Sequence, residues 1–248
     1  MGIVIQQESF FDRAKAAHQR LEESRAEGSL RRLSPEDELL LKRHRDAFTA
    51  FAKLCEDRGK RYAGCRFDNY DIGNAKQRKV VEALRHYAAD ADSLASGRNV
   101  LLFGSKGTGK DHLGLALSRE VVHNHGTCAS WRNGTALHTD LKRYDFEDKP
   151  RYDHAGDDRR PHRVAILWVS DPLPPTGPLT DYQQKLIFEL LDERYSQMLP
   201  TWLSMNVESR AELESRMGAQ TVDRLCHGAL VLPCDWPSYR SSGKGANE

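Results

Sequence analysis

Seven consecutive residues, Gly104, Ser105, Lys106, Gly107, Thr108, Gly109 and Lys110, have the types and spacing to grip a polyphosphate. A loop that wraps phosphates must aim several backbone N–H groups inward, which requires unusual dihedrals and close backbone approach. Glycine permits both. The lysine then brings a full positive charge to the outer phosphates. The pattern G-x-x-x-x-G-K is complete from Gly104 to Lys110, but the next position, where a Ser or Thr hydroxyl usually holds Mg²⁺, is Asp111. A carboxylate oxygen also suits Mg²⁺, directly or through water, so Asp111 is a candidate metal ligand. His112 follows in the same stretch and is counted with the phosphate-binding residues. The plain alternative is a glycine-rich turn carrying a surface lysine, and the flanking elements argue against it.

Val100 to Phe103 is an apolar run of the length a buried strand needs, and Leu113, Leu117 and Val121 recur at helical spacing after the loop. The helix directs its N-terminus, with free N–H groups and partial positive charge, at the anion. A second apolar run, Val164 to Val169, ends in Ser170-Asp171-Pro172. In phosphate-loop enzymes a buried strand beside the first ends in an acid that holds Mg²⁺, commonly followed by another that polarises the attacking water. Only Asp171 stands here, as a catalytic candidate and the second candidate metal ligand. Thr201 to Met205 reads as a further strand, closed by Asn206, which would lie beside the terminal phosphate.

These strands, with two more near 127–133 and 229–233, alternate with helices near 75–91, 135–146, 208–217 and 219–227. Another helix opens at the capping box Thr180-Asp181-Tyr182-Gln183. It turns Leu186, Ile187, Leu190 and Leu191 inward and counts Glu189, Asp192, Glu193 and Arg194 among its polar positions. The alternation predicts an α/β fold, a parallel sheet with helices on both faces, with the ligand at the carboxyl ends of the strands.

A net charge of +1 over 248 residues argues against coating nucleic acid by bulk charge. Five cysteines without a C-x-x-C pair, no leader and no long apolar run point to a reduced, cytoplasmic setting. Residues 1–62 read as a charged helical region. Phe10, Ala14, Ala17 and Leu21 share one helical face, Ser34-Pro35-Glu36-Asp37 is a helix start, and Leu41, Phe48, Phe51 and Cys55 form the stripe of the helix it opens. This region is either a solvated helical pair docked on the main domain or a partner-binding module. In the lead-in that follows, Phe67 is expected in the core and the role of Tyr70 is left open. The charged stretch 147–163 reads as an exposed loop, and 241–248 as a disordered tail.

Beyond single motifs, five blocks resemble one family: Gly107 to Leu113, Leu186 to Tyr195, Ser204 to Asn206, Val222 to Leu225, and Trp236 to Arg240. Together they resemble the DnaC-type helicase loaders and IstB-type transposition ATPases, a branch of the AAA+ P-loop NTPases, over about residues 60–240. The resemblance implies a helical N-terminal partner-binding region (1–62), an AAA+ ATP-binding domain (63–240) and a protein that uses ATP and Mg²⁺. It implies single-stranded DNA, homo-oligomers formed with ATP, and a replicative helicase or a transposase as partners. By resemblance Asn206 matches the residue that senses the terminal phosphate, Arg224 an arginine finger reaching a neighbour's ATP, and Arg240 a second sensing arginine. The intramolecular alternative for Arg224 is an ion pair with Asp223 or Glu193. The family's paired acids are here Ser170-Asp171, so ATP binding is expected with slow turnover. A nucleotide-gated scaffold that does not hydrolyse ATP is the further alternative.

Overall fold

The computed structural model describes residues 9–26, 34–146 and 160–240. The expected tail 241–248 and most of the expected loop, 147–159, lie outside them. Strand β1 (Val100–Phe103) alternates its side chains across the sheet, so Val100 and Leu102 enter one core and Leu101 the other. The remaining strands are β2 (Ser130–Asn133), β3 (Leu167–Ser170), β4 (Thr201–Met205) and β5 (Leu230–Pro233). All pair in parallel, in the order β2-β3-β4-β1-β5. The acid-bearing strand β3 is therefore not beside β1, as expected from sequence; β4 lies between them. The register sets Phe103 level with Met205, and Ser170 level with Ser204. Residues that close β1, β3 and β4 thus emerge at the same rim.

On one face of the sheet lie α2 (Pro35–Arg58), α3 (Ala75–Ala89) and α5 (Lys110–His125), with the short α4 (Ala91–Ala95) following α3. On the other lie α6 (Gly134–Phe146), α7 (Asp181–Ser196), α8 (Arg210–Met217) and α9 (Ala219–Cys226). No helix among the described residues is long and apolar enough to cross a membrane. Thr180 caps α7 through the expected box, with both reciprocal hydrogen bonds present.

Helix α5 is buried on nearly all sides. Leu113, Leu117 and Val121 are enclosed, and so are Gly114, Leu115, Ala116 and Ser118. Gly114 is small because Trp168 lies against it: a Cβ there would stand 2.3 Å from the indole Cζ2. Gly114→Ala must lift α5 off β3. Overpacking of this kind costs about 1–3 kcal/mol, so we expect a fall in Tm of roughly 5 °C in thermal denaturation.

Helices α1 (Phe10–Ala26) and α2 lie against α5. Ser34 caps α2 by accepting from the Asp37 N–H, with Pro35 in the first turn. The buried stripe of α2 is Ala47, Phe51 and Leu54, rotated from the expected Leu41, Phe48, Phe51 and Cys55. Phe48 stays 42% exposed because it faces the rings of Phe11 and His44 and not α5. Phe67 is buried as expected, and so is Tyr70.

Arg194 departs most from the sequence reading. The side chain expected among the polar positions of α7 is completely buried. Its guanidinium donates to Thr201 Oγ1 at 2.9 Å, to the carbonyls of Pro161 and Val164 at 2.8 Å each, and to Pro200 O at 2.7 Å. Burial pushes its pKa down to about 9. A helix-surface arginine is read from periodicity as solvated; here the chain entering β3 and β4 closes over it and supplies acceptors.

Candidate functional site

The loop after β1 is shaped by glycines in left-handed or otherwise positive φ. Gly104 (φ 138°) passes so near Cys234 that a Cβ would meet its carbonyl oxygen at 2.3 Å, and Gly107 (φ 81°) is equally confined by Ser238. The segment after β5 therefore clasps the loop from outside. Tyr239 N–H donates to Gly107 O at 2.9 Å, and Thr108 O accepts from Trp236 Nε1 at 2.9 Å and from the Tyr70 hydroxyl at 2.8 Å. This settles the open role of Tyr70: it braces the loop backbone. The Tyr239 hydroxyl in turn accepts from Gln77 Nε2 at 2.6 Å and donates to Asp71 O.

Lys110 begins α5 and is buried. Its Nζ donates to Gly104 O at 2.9 Å and Ser105 O at 2.7 Å, which holds the ammonium inside the loop's own curve. Burial lowers its pKa, with the carboxylates of Asp171 and Asp111 acting the other way. Loop and helix border a cleft of about 600 Å³ at the strand ends. Of the residues singled out from sequence, Lys106, Gly107, Gly109 and Lys110 line it, as do Asp111 and His112. So do Asp171, Asn206 and Arg240, from three other parts of the chain. Gly104, Ser105 and Thr108 shape the loop from behind and do not line the cleft.

Asp171 follows β3 with φ 50°, an uncommon backbone for a residue with a side chain, held where its N–H donates to Ser204 O at 2.8 Å. Its Oδ1 accepts from Asn206 Nδ2 at 2.5 Å. Desolvation, then the neighbouring Asp111, raise its pKa. The insertion of β4 between β1 and β3 makes this pairing possible: Asn206, closing β4, falls between the loop and the acid. His112 Nε2 donates to Arg66 O at 2.8 Å, so its ring is tied to the chain's own backbone, and burial lowers its pKa.

Asp111 has an unforeseen partner. Arg58, the last residue of α2, places Nη2 2.8 Å from Asp111 Oδ2. Its Nη1 lies 3.4 Å from Ser170 Oγ, which also accepts from Trp131 Nε1 at 3.0 Å. The sequence carried no local signal for Arg58, which is 53 positions from Asp111. Arg61 and Arg216 also line the cleft and were missed. Arg216 bonds Gly177 O at 3.1 Å and Pro174 O at 2.5 Å, anchoring the proline-rich turn after Asp171.

A Mg²⁺ site here would be built from Asp111, Ser170 and Asp171. Mg²⁺ needs near-octahedral oxygen ligands and uses one or two free carboxylates beside phosphates and water. As folded, the set does not fit. Asp111 is engaged by a guanidinium, position 170 offers a hydroxyl already accepting from Trp131 and Arg58, and Asp171 accepts from Asn206. No group of three or more His, Cys, Asp or Glu that could hold a metal occurs among the described residues.

Arg224 is not part of this chain's own cleft lining. It does form an intramolecular pair, but with Asp192 at 3.0 Å and over the Tyr195 ring at 5.1 Å. The expected alternatives are taken: Asp223 lies 3.9 Å from Arg210 and Glu193 2.7 Å from Arg163. Arg224 remains partly exposed, since 42% of its side chain faces solvent.

A five-stranded parallel sheet in this order, with a glycine-rich loop and a buried lysine leading into the helix after β1, defines a P-loop NTPase fold of the AAA+ type. Solved structures agree in fold: a crystal structure of the DnaC helicase loader matches with a TM-score of 0.61 at 22% identity, covering 70% of this chain and 98% of that one. A crystal structure of DnaI gives 0.54 at 15% identity, over 72% and 92% of the two chains. The chain belongs to the family of IstB-like ATP-binding proteins, which it matches over residues 35–246. That match is wider than the 60–240 expected from the motifs and takes in all of α2. The replicative helicase loader DnaC of Buchnera aphidicola subsp. Acyrthosiphon pisum is 28% identical over 188 residues, 74% of this chain and 72% of the relative. A putative insertion sequence ATP-binding protein of Sinorhizobium fredii is 26% identical over 208 residues, 83% of this chain and 65% of the relative.

Proposed function

We propose that this protein is an ATP-dependent factor of DNA replication that acts in the manner of a helicase loader, binding single-stranded DNA and a replicative helicase and turning ATP over slowly. The observation that carries this reading is the convergence of Lys110, Asp171 and Asn206, from three strand ends, on one cleft. In this reading the N–H groups of Lys106, Gly107 and Gly109, which line the cleft, and the Lys110 ammonium hold the phosphates. Asp171, oriented by Asn206, polarises the attacking water, and Asn206 reports the terminal phosphate. Arg240, beside Gly107 in the segment that clasps the loop, pairs with the phosphates in the role of a second sensor.

Arg224 serves a neighbouring copy. Its exposure outside its own cleft supports an arginine finger acting across an oligomer, where its permanent charge and forked donors suit phosphate oxygens. Residues 1–62 form the partner-binding part and residues 63–240 the ATP-binding part. Slow turnover follows from Ser170, which gives the acid-bearing strand one carboxylate instead of two.

A second reading is a transposition helper with a transposase as its client, favoured by the IstB-like family match and the insertion-sequence relative. The deciding experiment is co-purification of the full-length protein with a replicative helicase and with a transposase, each with and without ATP. Retention of the helicase alone supports the loader, and retention of the transposase alone supports the helper. In parallel, release of labelled phosphate is expected to be slow and to rise with single-stranded DNA. Brisk turnover by the isolated monomer would contradict the proposed mechanism, and no turnover under any condition would favour a nucleotide-gated scaffold.

A further inference from the structure

We infer that Arg58 acts as the built-in counter-ion of Asp111, so that this protein takes up ATP without requiring a divalent metal. The inference rests on reading the cleft as an ATP site.

Asp111 lines the cleft immediately after Lys110. A bare carboxylate there faces a polyphosphate carrying several negative charges, and like charges at such range repel strongly in a partly desolvated site. Something must neutralise it. Arg58 does so from inside the protein. Its side chain is only 7% exposed, and its Nη2 lies 2.8 Å from the Asp111 carboxylate.

The guanidinium is held in a cage of aromatic rings, with Cζ 4.6 Å from the centroid of Tyr62, 4.5 Å from Trp131 and 5.2 Å from Trp168. Neither its Nε nor its Nη2 has a hydrogen-bond partner, so the contact with Asp111 is an ion pair and not a hydrogen bond. The position is therefore fixed by packing, by one ion pair and by the Nη1 contact with Ser170, and Asp111 is the carboxylate that compensates a buried permanent charge.

The two departures from the usual metal-serving residues also meet at this one group. Asp111 stands where the loop hydroxyl is expected and pairs with Arg58. Ser170 stands where an acid is expected and faces the same guanidinium at 3.4 Å. A second carboxylate at 170 would crowd a negative charge against Asp171, whereas a hydroxyl accepts from Arg58 and Trp131 at no charge cost. Arg58 itself does not line the cleft, so it is a positioning residue that acts through Asp111. Because it ends α2, the charge balance of the nucleotide site depends on the docking of the N-terminal helices.

The test is equilibrium binding of labelled ATP to the full-length protein in excess Mg²⁺ and in excess EDTA. Wild type is expected to change affinity by less than about threefold between the two media. Binding in Mg²⁺ that weakens by about tenfold or more in EDTA overturns this inference but leaves the ATP site standing. Absence of binding in both media overturns both.

Arg58→Met is expected to weaken binding about tenfold in EDTA, with recovery when Asp111→Thr is added, as a coupled pair requires. The double variant, with a neutral hydroxyl restored, is expected to become Mg²⁺-stimulated. A folded Arg58→Met that binds ATP like wild type in both media removes Arg58 from the account. If Arg58→Met does not fold, the wild-type comparison and Asp111→Thr alone still decide: with Arg58 left uncompensated, folded Asp111→Thr is expected to bind ATP more tightly in EDTA, and an unchanged affinity overturns the pairing.

Discussion

Lys110→Ala is expected to weaken ATP binding about 100-fold, equivalent to roughly 3 kcal/mol, with little change in Tm. The affinity loss follows from the placement of the ammonium. It sits inside the loop on the carbonyls of Gly104 and Ser105, next to the cleft, and burial already disfavours its charge. An anion in the cleft offers it hydrogen bonds between opposite full charges in place of those to neutral carbonyls, and the added Coulomb attraction makes these stronger. Stability should hardly respond. The variant loses three hydrogen bonds but also removes a partly desolvated cation, and the loop stays braced through Thr108 O by Tyr70 and Trp236. Calorimetric titration with ATP, paired with thermal denaturation, separates the two effects. A large fall in Tm with unchanged affinity would assign Lys110 to the fold instead of the ligand.

Arg194→Met is expected to do the opposite, lowering Tm by roughly 10 °C while leaving the nucleotide contacts untouched. Four acceptors converge on this guanidinium: Thr201 Oγ1 and the carbonyls of Pro161, Val164 and Pro200. Methionine fills a similar volume but donates nothing, so several buried acceptors are orphaned at once. Each such loss costs about 1–3 kcal/mol before relaxation, and a total near 4 kcal/mol is reasonable. Arg194→Lys should recover little, because a single ammonium cannot span acceptors arranged for a planar fork. Thermal melts of the three proteins check both statements, and near-wild-type stability of the methionine variant would show that the acceptors find other donors.

These two residues mark the limits of reading the chain from sequence. The place of Lys110 was legible because it is encoded locally. Glycine spacing, an apolar run before it and helical periodicity after it lie within about twenty residues, and backbone physics links them directly. The capping box at Thr180 was legible for the same reason. Arg194 was misread because helical periodicity reports which face a residue occupies, not what another segment will lay over that face. The stripe of α2 slipped likewise: Phe48 is as apolar as Phe51, and only the approach of α1 and α5 distinguishes them.

From the sequence alone one could determine that a glycine-rich loop ending in a lysine joins a buried strand to a helix, that strands and helices alternate into a parallel sheet, and that Asp171 and Asn206 close two of those strands. Each statement depends on short-range stereochemistry. The tertiary structure alone decided that β4 slides between β1 and β3, which brings Asn206 within 2.5 Å of Asp171, and that Arg58 crosses from the N-terminal helices to neutralise Asp111. Strand order and buried ion pairs are set by long-range packing and desolvation, and residues far apart in the chain carry no local mark of the charge they will meet.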